Sequence, residues 1–253
     1  MKRIVIKVGS HVISDDGKIS ISRVDSLCDL LYALMKKYEV ILVSSGAIAC
    51  GQTQLSLERD SVLNKQILAA IGQAHLMQVY KASLSRYNLL CAQLLLNASD
   101  FDSIKRTNYA KSVVLGLLEL GVLPIINEND ATAIAEIVYG DNDRLSAATA
   151  LYFGADMLVM LSDIDGYYDD DPQVNKNAKI RKIVSALNDD EINAHTSKSG
   201  SKHGTGGIST KLIAAKMLLD ENKSAFLASG FDLSVVKDFL LNDKQNGGTL
   251  FMA

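Results

Sequence analysis

Short β-branched apolar runs alternate with longer stretches of helical spacing along almost the whole chain. This alternation is the strongest constraint on the fold. Residues 3–8 (RIVIKV) read as a buried strand that stops at Gly9. Residues 22–38 carry Val24, Leu27, Leu31 and Leu34 at helical spacing. Residues 39–43 form a second strand pattern, halted by Ser44-Ser45-Gly46, and a long helical zone holds Ile67, Leu68, Ile71, His75 and Val79. Strand patterns recur at 89–96, 122–126, 157–161 and 224–228, and helical ones at 107–120, 143–153, 209–220 and 232–240. Strand–helix alternation of this kind gives an α/β fold, a mostly parallel central sheet covered on both faces, in effect a three-layer α/β/α sandwich. A chain of 253 residues fits one such domain spanning 1–253. No internal repeat or low-complexity tract interrupts it.

Two polar stretches break the rhythm. Residues 165–177 are rich in Asp, Asn and Gly, and residues 193–207 in Ser, Gly, Lys and His. Long polar loops in a compact domain are usually functional or mobile, and both are expected to be loosely held. Residues 179–192 between them show helical character.

Charge and composition remove several function classes. Lys and Arg number 26 against 29 Asp and Glu, a net charge of -3. That balance carries no footprint for generic nucleic-acid binding. Trp is absent and aromatic residues make up 6% of the chain, which argues against a large base-stacking platform. Cys28, Cys50 and Cys91 are widely spaced and odd in number, so neither a disulfide framework nor a thiolate zinc site is indicated. No apolar run reaches the ~18–20 residues of a membrane helix, and Met1-Lys2-Arg3 does not open a signal peptide. The expectation is a cytoplasmic protein without membrane or nucleic-acid partners.

In an open parallel sheet, ligands bind beyond the carboxyl ends of the strands. Those ends read Lys7-Val8-Gly9-Ser10, Ser44-Ser45-Gly46-Ala47, Asn127-Glu128-Asn129-Asp130 and Ser162-Asp163. Any one is ordinary turn chemistry, but four on the same rim, with a lysine at the first, point to a site. Gly9 and Gly46 would let main-chain N–H groups approach an anion, and a helix after each loop would add its positive end. A third glycine-rich run, Gly204-Thr205-Gly206-Gly207-Ile208-Ser209-Thr210-Lys211, opens a helix and brings hydroxyls and an ammonium towards the same kind of ligand. A cation in the first turn of a helix opposes the helix dipole, which marks Lys211 as a functional candidate. The run Tyr139-Gly140-Asp141-Asn142-Asp143 precedes another helix, and Asp143 is a rim carboxylate suited to holding lysines in place. Neither the Walker pattern nor the dinucleotide fingerprint is present. His11, His75, His195 and His203 have no metal-ligand spacing, so no protein metal site is expected.

Taken together, IVIKVGS at 4–10, VSSGAIACG at 43–51, PIINENDA at 124–131, GDNDRLSA at 140–147, LSDIDGYYDDDP at 161–172 and GTGGISTK at 204–211 resemble the glutamate 5-kinases of the amino acid kinase family. The resemblance runs in order along essentially the whole chain. It implies ATP-dependent phosphorylation of the γ-carboxylate of L-glutamate, with Mg²⁺ carried on the nucleotide phosphates, at the entry to proline biosynthesis. By resemblance, Lys7, Lys211 and Asp143 would be catalytic. Ser45, Gly46, Asn127, Asp130 and Asn142 would bind glutamate. Lys7, Gly9, Ser162, Asp163, Thr205, Gly206, Gly207, Ile208, Ser209, Thr210 and Lys211 would bind the nucleotide. The N-terminal part would serve mainly glutamate and the C-terminal part mainly ATP. A homo-oligomer, proline as feedback inhibitor and glutamyl-phosphate reductase as partner follow as further expectations. Many bacterial members continue into a C-terminal PUA domain. This sequence stops at Ala253, after GGTLFMA, and is expected to be a form without one. The competing readings are an N-acetylglutamate, carbamate or uridylate kinase of the same fold, or a non-catalytic amino-acid sensor.

Overall fold

In the computed structural model, residues 1–133, 142–196 and 207–253 are described, the side chains of 194–196 excepted. The elements in order are β1 (Lys2–Val8), α1 (Ser10–Ile13), β2 (Ser14–Asp15), β3 (Lys18–Ile19), α2 (Ile21–Leu34), β4 (Tyr38–Ser44), α3 (Ala47–Gln54), α4 (Val62–Ser85), β5 (Cys91–Leu96), α5 (Ala98–Phe101), α6 (Ile104–Glu119) and β6 (Leu123–Glu128). They continue with α7 (Asn142–Tyr152), β7 (Met157–Ser162), β8 (Ile183–Val184), α8 (Asp189–Thr196), α9 (Ile208–Asp220), β9 (Ser224–Ser229), α10 (Ser234–Asn242) and β10 (Thr249–Phe251).

Eight strands form one sheet in the order β5-β6-β4-β1-β7-β9-β10-β8. All pairings are parallel except β10 against β9. The alternation of side chains along β1 assigns the two faces. Ile4, Ile6 and Val8 pack with α2, α4 and α10, whereas Val5 packs with α7 and α9. The three-layer sandwich is therefore present. Among the described residues, no helix is long and apolar enough to cross a membrane.

Several elements depart from the sequence expectation. Residues 179–192 are not one helix: Ile183–Val184 is the edge strand β8, and α8 starts only at Asp189. Pairing with β10 overrides the local helical pattern. The short strand β10 has no counterpart in the sequence pattern, because three residues carry no periodicity. The hairpin β2–β3 turns on Asp16 and Gly17, both at positive φ, an Asp-Gly turn signal. The polar stretch 165–177 is also better anchored than expected. Tyr167 is buried, its N–H donates to Thr249 Oγ1 at 2.8 Å, and Tyr168 bridges Ile180. The other polar stretch, 193–207, lies largely outside the described residues.

Helices α3 and α4 touch main chain to main chain, and glycine makes this possible. A Cβ on Gly72 would stand 1.8 Å from the Ala47 carbonyl oxygen, and one on Gly51 would stand 2.0 Å from that of Leu68. Gly72→Ala must therefore push two helices apart. Overpacking a core typically costs ~1–3 kcal/mol, and a clash with main chain sits at the top of that range. At this chain length the expected fall in melting temperature is at least about 5 °C, read by a thermal melt.

Candidate functional site

Strand β1 is where the chain changes direction across the sheet. It continues into β4 on one side, and β7 later joins its other side. Such a switch point opens a crevice at the carboxyl ends of the strands. The loops there are stitched together. The Gly9 N–H donates to Leu161 O at 3.2 Å, the Ser45 N–H to Val8 O at 3.2 Å, and the Gly230 N–H to Ser162 O at 2.7 Å.

The centre of the rim is a buried charge cluster. Lys7 shares the face of Val5, so its side chain leaves β1 towards α7 and α9. Asp143 is the second residue of α7 and Lys211 the fourth of α9. Asp143 is fully buried, with Lys7 6% and Lys211 5% exposed. Lys7 Nζ donates to Asp143 Oδ1. Lys211 Nζ stands 3.3 Å from Oδ2, which also accepts from Thr210 Oγ1 at 2.7 Å. Burial opposes ionisation of Asp143, but Lys7, Lys211 and the hydrogen bonds from Lys7 and Thr210 outweigh it. They hold the carboxyl well below the ordinary carboxylate range. The N-terminal ends of α7 and α9 meet here as well, adding their positive dipole ends. Lys211 is thus not a solvent-facing charge tolerated at a helix end. Its unfavourable dipole position is offset by a carboxylate from the neighbouring helix.

Beside this cluster runs a chain of side-chain amides. Asn142 Nδ2 donates to Ser45 Oγ at 2.7 Å and to Asn127 Oδ1 at 2.9 Å. Asn127 Nδ2 donates to Gln73 Oε1 at 2.8 Å, and Gln73 Nε2 to Gln93 Oε1 at 3.1 Å. A cavity of about 260 Å³ lies against it, lined among others by Ala47, Gln73, Gln93, Glu128 and Asp130. A larger hollow of about 530 Å³, lined by Asp16, Lys18, Gln52, Glu58 and Asp60 among others, holds none of the rim residues.

The structure thus brings together Lys7, Asp143, Thr210 and Lys211 in one cluster, and Ser45, Asn127 and Asn142 in the amide chain, with Asp130 on the cavity wall. Gly46 caps α3 at φ 107°, where a Cβ would stand 2.7 Å from Ile13 Cδ1. Gly9 differs from the sequence expectation. Its N–H is used by Leu161 O, its φ of -75° suits any residue, and the helix after it is a single turn. A Cβ there would meet only Leu161 O at 3.8 Å, so the fold alone does not require glycine. Ser162 is buried and its Oγ donates to Asp163 Oδ1 at 2.9 Å, while Asp163 is exposed and pairs with His11 at 3.5 Å. Gly207 caps α9 and its carbonyl accepts from Thr210 Oγ1 at 2.9 Å. Ile208 and Ser209 fill the first turn. Thr205, Gly206 and Asp141 lie outside the described residues.

Gln73 and Gln93 carry no signal in the sequence. Gln73 is one of three glutamines on α4, each of which looks like a solvent-facing position, and only the neighbouring Gly72, a close-approach signal, draws attention to it. None of the three thiols belongs to the charge cluster or the amide chain. Cys28 and Cys50 are buried, and burial pushes both up to about 12.

Comparison with known proteins gives the family of the chain. Residues 2–229 match the amino acid kinase family. A glutamate 5-kinase of Leishmania donovani is 48% identical over 251 residues, covering 99% of this chain and 95% of that protein. One from Wolinella succinogenes is 49% identical over 257 residues, covering 100% and 98%. Among solved structures, carbamate kinase from Giardia lamblia bound to AMP-PNP superposes with a TM-score of 0.67 at 15% identity, covering 99% of this chain and 98% of that one, a likeness of fold. A buried lysine–aspartate–lysine cluster at the switch point of a parallel sheet, with a family match over nine-tenths of the chain, has one reading: the chain belongs to the amino acid kinase family.

Proposed function

We propose that this protein transfers the γ-phosphoryl group of ATP to the γ-carboxylate of L-glutamate, giving the acyl phosphate. The observation that carries the reading is the Asp143 cluster, which sets lysines from β1 and α9 on one carboxylate beside an amide-lined cavity. The names of the relatives at 48% and 49% identity support the choice of substrate.

The chemistry suits these residues. A carboxylate nucleophile with an ordinary pKa near ~4.3 is already ionised at neutral pH, so no general base is needed. His11 is exposed on the rim and pairs with Asp163, with no base role to fill. The remaining work is alignment and charge neutralisation of an in-line transfer. Lys7 and Lys211 would face the transferring phosphoryl group, and Asp143 would hold both ammonium groups at a common position. Ser45, Asn127, Asn142 and Asp130 would hold glutamate, with Asp130 pairing its α-ammonium. Gly46, at the α3 N-terminus, would let the substrate carboxylate approach main chain. Ser162, Asp163 and residues 205–211 would hold the nucleotide. Mg²⁺ would enter on ATP, where it offsets the charge of the β- and γ-phosphates. In this arrangement the N-terminal part, with Asn142 at the start of α7, would serve mainly glutamate and the C-terminal part mainly ATP, while Lys7 on β1 and Lys211 on α9 would meet at the transferring group.

The direct test is a glutamate-dependent assay with Mg·ATP and hydroxylamine, which traps the acyl phosphate as hydroxamate. Hydroxamate formation with glutamate, but not with N-acetylglutamate, is expected. ATP turnover that ignores glutamate would overturn the reading. A second expectation concerns the amino end of the substrate. Loss of an ionic hydrogen bond costs ~1.5–3 kcal/mol, so Asp130→Ala should raise the KM for glutamate roughly tenfold or more. The KM for ATP should stay within about twofold, since in this reading Asp130 would stand at the glutamate end of the site. Equal rises in both constants would remove Asp130 from the glutamate site.

A further inference from the structure

We propose that Gln73, on α4, is a positioning residue that sets the affinity for the amino-acid substrate by fixing the amide of Asn127. The inference rests on the glutamate-phosphorylating function proposed above. It starts from one bond that cannot be reversed. The main-chain N–H of Glu128 donates to Asn127 Oδ1 at 2.9 Å. A main-chain N–H is always a donor, so the Asn127 oxygen must face it, and Nδ2 must point the other way. Nδ2 then requires an acceptor, which Gln73 Oε1 supplies at 2.8 Å. Gln73 Nε2 in turn requires one and meets Gln93 Oε1 at 3.1 Å. In the other direction Asn127 Oδ1 receives Asn142 Nδ2, whose same nitrogen reaches Ser45 Oγ.

The result is a one-way chain through β5, α4, β6, α7 and the loop after β4. Turning any amide would set two NH₂ groups, or two oxygens, face to face. Asn127 is 1% exposed and Gln73 9%, so water does not readily substitute for a lost partner. Gln73 stands among Ala69, Gly72 and Leu76, all buried on the same helix, where an apolar residue would be the ordinary choice. Both of its amide ends are committed to the chain. Gln73 also lines the cavity, but with both amide ends committed its hydrogen bonding acts on substrate through Asn127, and from there through Asn142 and Ser45.

The test is the near-isosteric Gln73→Met, assayed by hydroxamate formation beside its thermal melt. With Asn127 released, the KM for glutamate is expected to rise roughly tenfold, the effect of one buried hydrogen bond. The kcat at saturating glutamate and the KM for ATP are expected to stay within about threefold, the scatter allowed for a group outside the reacting centre. The decisive readout is a cycle with Asn127→Ala. In that background Gln73→Met should change the glutamate KM by less than about twofold, since the residue it acts through is gone. An unchanged KM in the single variant, or effects that multiply independently in the double variant, would overturn the proposal. So would a parallel loss of kcat, ATP affinity and melting temperature, which marks a merely structural role. If Gln73→Met does not fold, Gln93→Met on the exposed edge strand takes its place, with a rise of roughly two- to fivefold expected for one link further out. An unchanged KM there would overturn the proposal equally. A parent protein that makes no hydroxamate from glutamate would overturn the underlying function, a result distinct from an active parent with an insensitive Gln73 variant.

Discussion

Lys211→Ala is expected to lower kcat by at least about 10³-fold, the low end of what a cation facing a transferring phosphoryl group contributes. The residue sits in the first turn of α9, 5% exposed, 3.3 Å from Asp143 Oδ2. A solvated surface lysine would sit elsewhere, because burial of an ammonium against the positive end of a helix is unfavourable twice over. The effect on stability separates the buried site from an exposed one. At an exposed helix end, removal of the charge would leave stability the same or slightly higher. Here it removes one of the two ammonium groups that balance a buried carboxylate and leaves a cavity along the stem. The melting temperature should therefore fall modestly, by less than for loss of the carboxylate itself, since Lys7 and Thr210 still bind Asp143. Lys211→Met keeps the stem packing and should recover most of the stability but none of the activity. Lys211→Arg should recover little activity, because a planar fork does not replace a compact point charge. The measurements are kcat by hydroxamate formation and a thermal melt for each variant. A folded Lys211→Ala protein with near-normal kcat would sink the assignment and leave Lys7 alone in the cationic role.

Asp143→Asn should be the most destabilising single change in the site. It leaves two buried ammonium groups without the carboxylate that they share. Breaking a buried ion pair by removing one partner costs ~3–5 kcal/mol. For a chain of this size that corresponds to a fall in melting temperature of roughly 6–20 °C. The kcat should fall too, since nothing then holds the two lysines at a common point. The pH dependence has a definite sign. The folded-state pKa of Asp143 is depressed, so its contribution to stability is fully present above the unfolded value near ~3.9. It is lost as pH falls through the folded value, well below that. The stability gap between parent and Asp143→Asn should accordingly be constant from neutral pH down to about 4 and narrow in stronger acid. Denaturant midpoints at a series of pH values measure it. A gap that widens on acidification would show that Asp143 is not held as the anion.

Part of this site is legible in the order of residues alone. Lys7 stands out because it lies near the end of a strand, two residues before Gly9, and Lys211 because it closes a glycine-rich run in the first turn of a helix. Both signals act over a few residues. Asp143 is legible as a rim carboxylate, but not as a fully buried one, since its partners lie 136 and 68 residues away. Gln73 is invisible for the same reason, its acceptor role depending on an asparagine 54 residues further along.

What the sequence determined by itself was the alternation of strand and helix, the rim on which polar turns follow strands, and the parity that places Lys7 on the same side of β1 as Val5. Those are consequences of local sterics and of periods of 2.0 and 3.6 residues, which neighbouring residues settle among themselves. The tertiary structure alone decided which helices cover that side of the sheet, that residues 249–251 run antiparallel beside β9, and that 183–184 pair with them. It also decided that one carboxylate serves two lysines. A charge in the unfolded chain is solvated and indifferent to a partner 136 residues distant. Only when the crossovers bury both does desolvation make the pairing obligatory and fix its geometry.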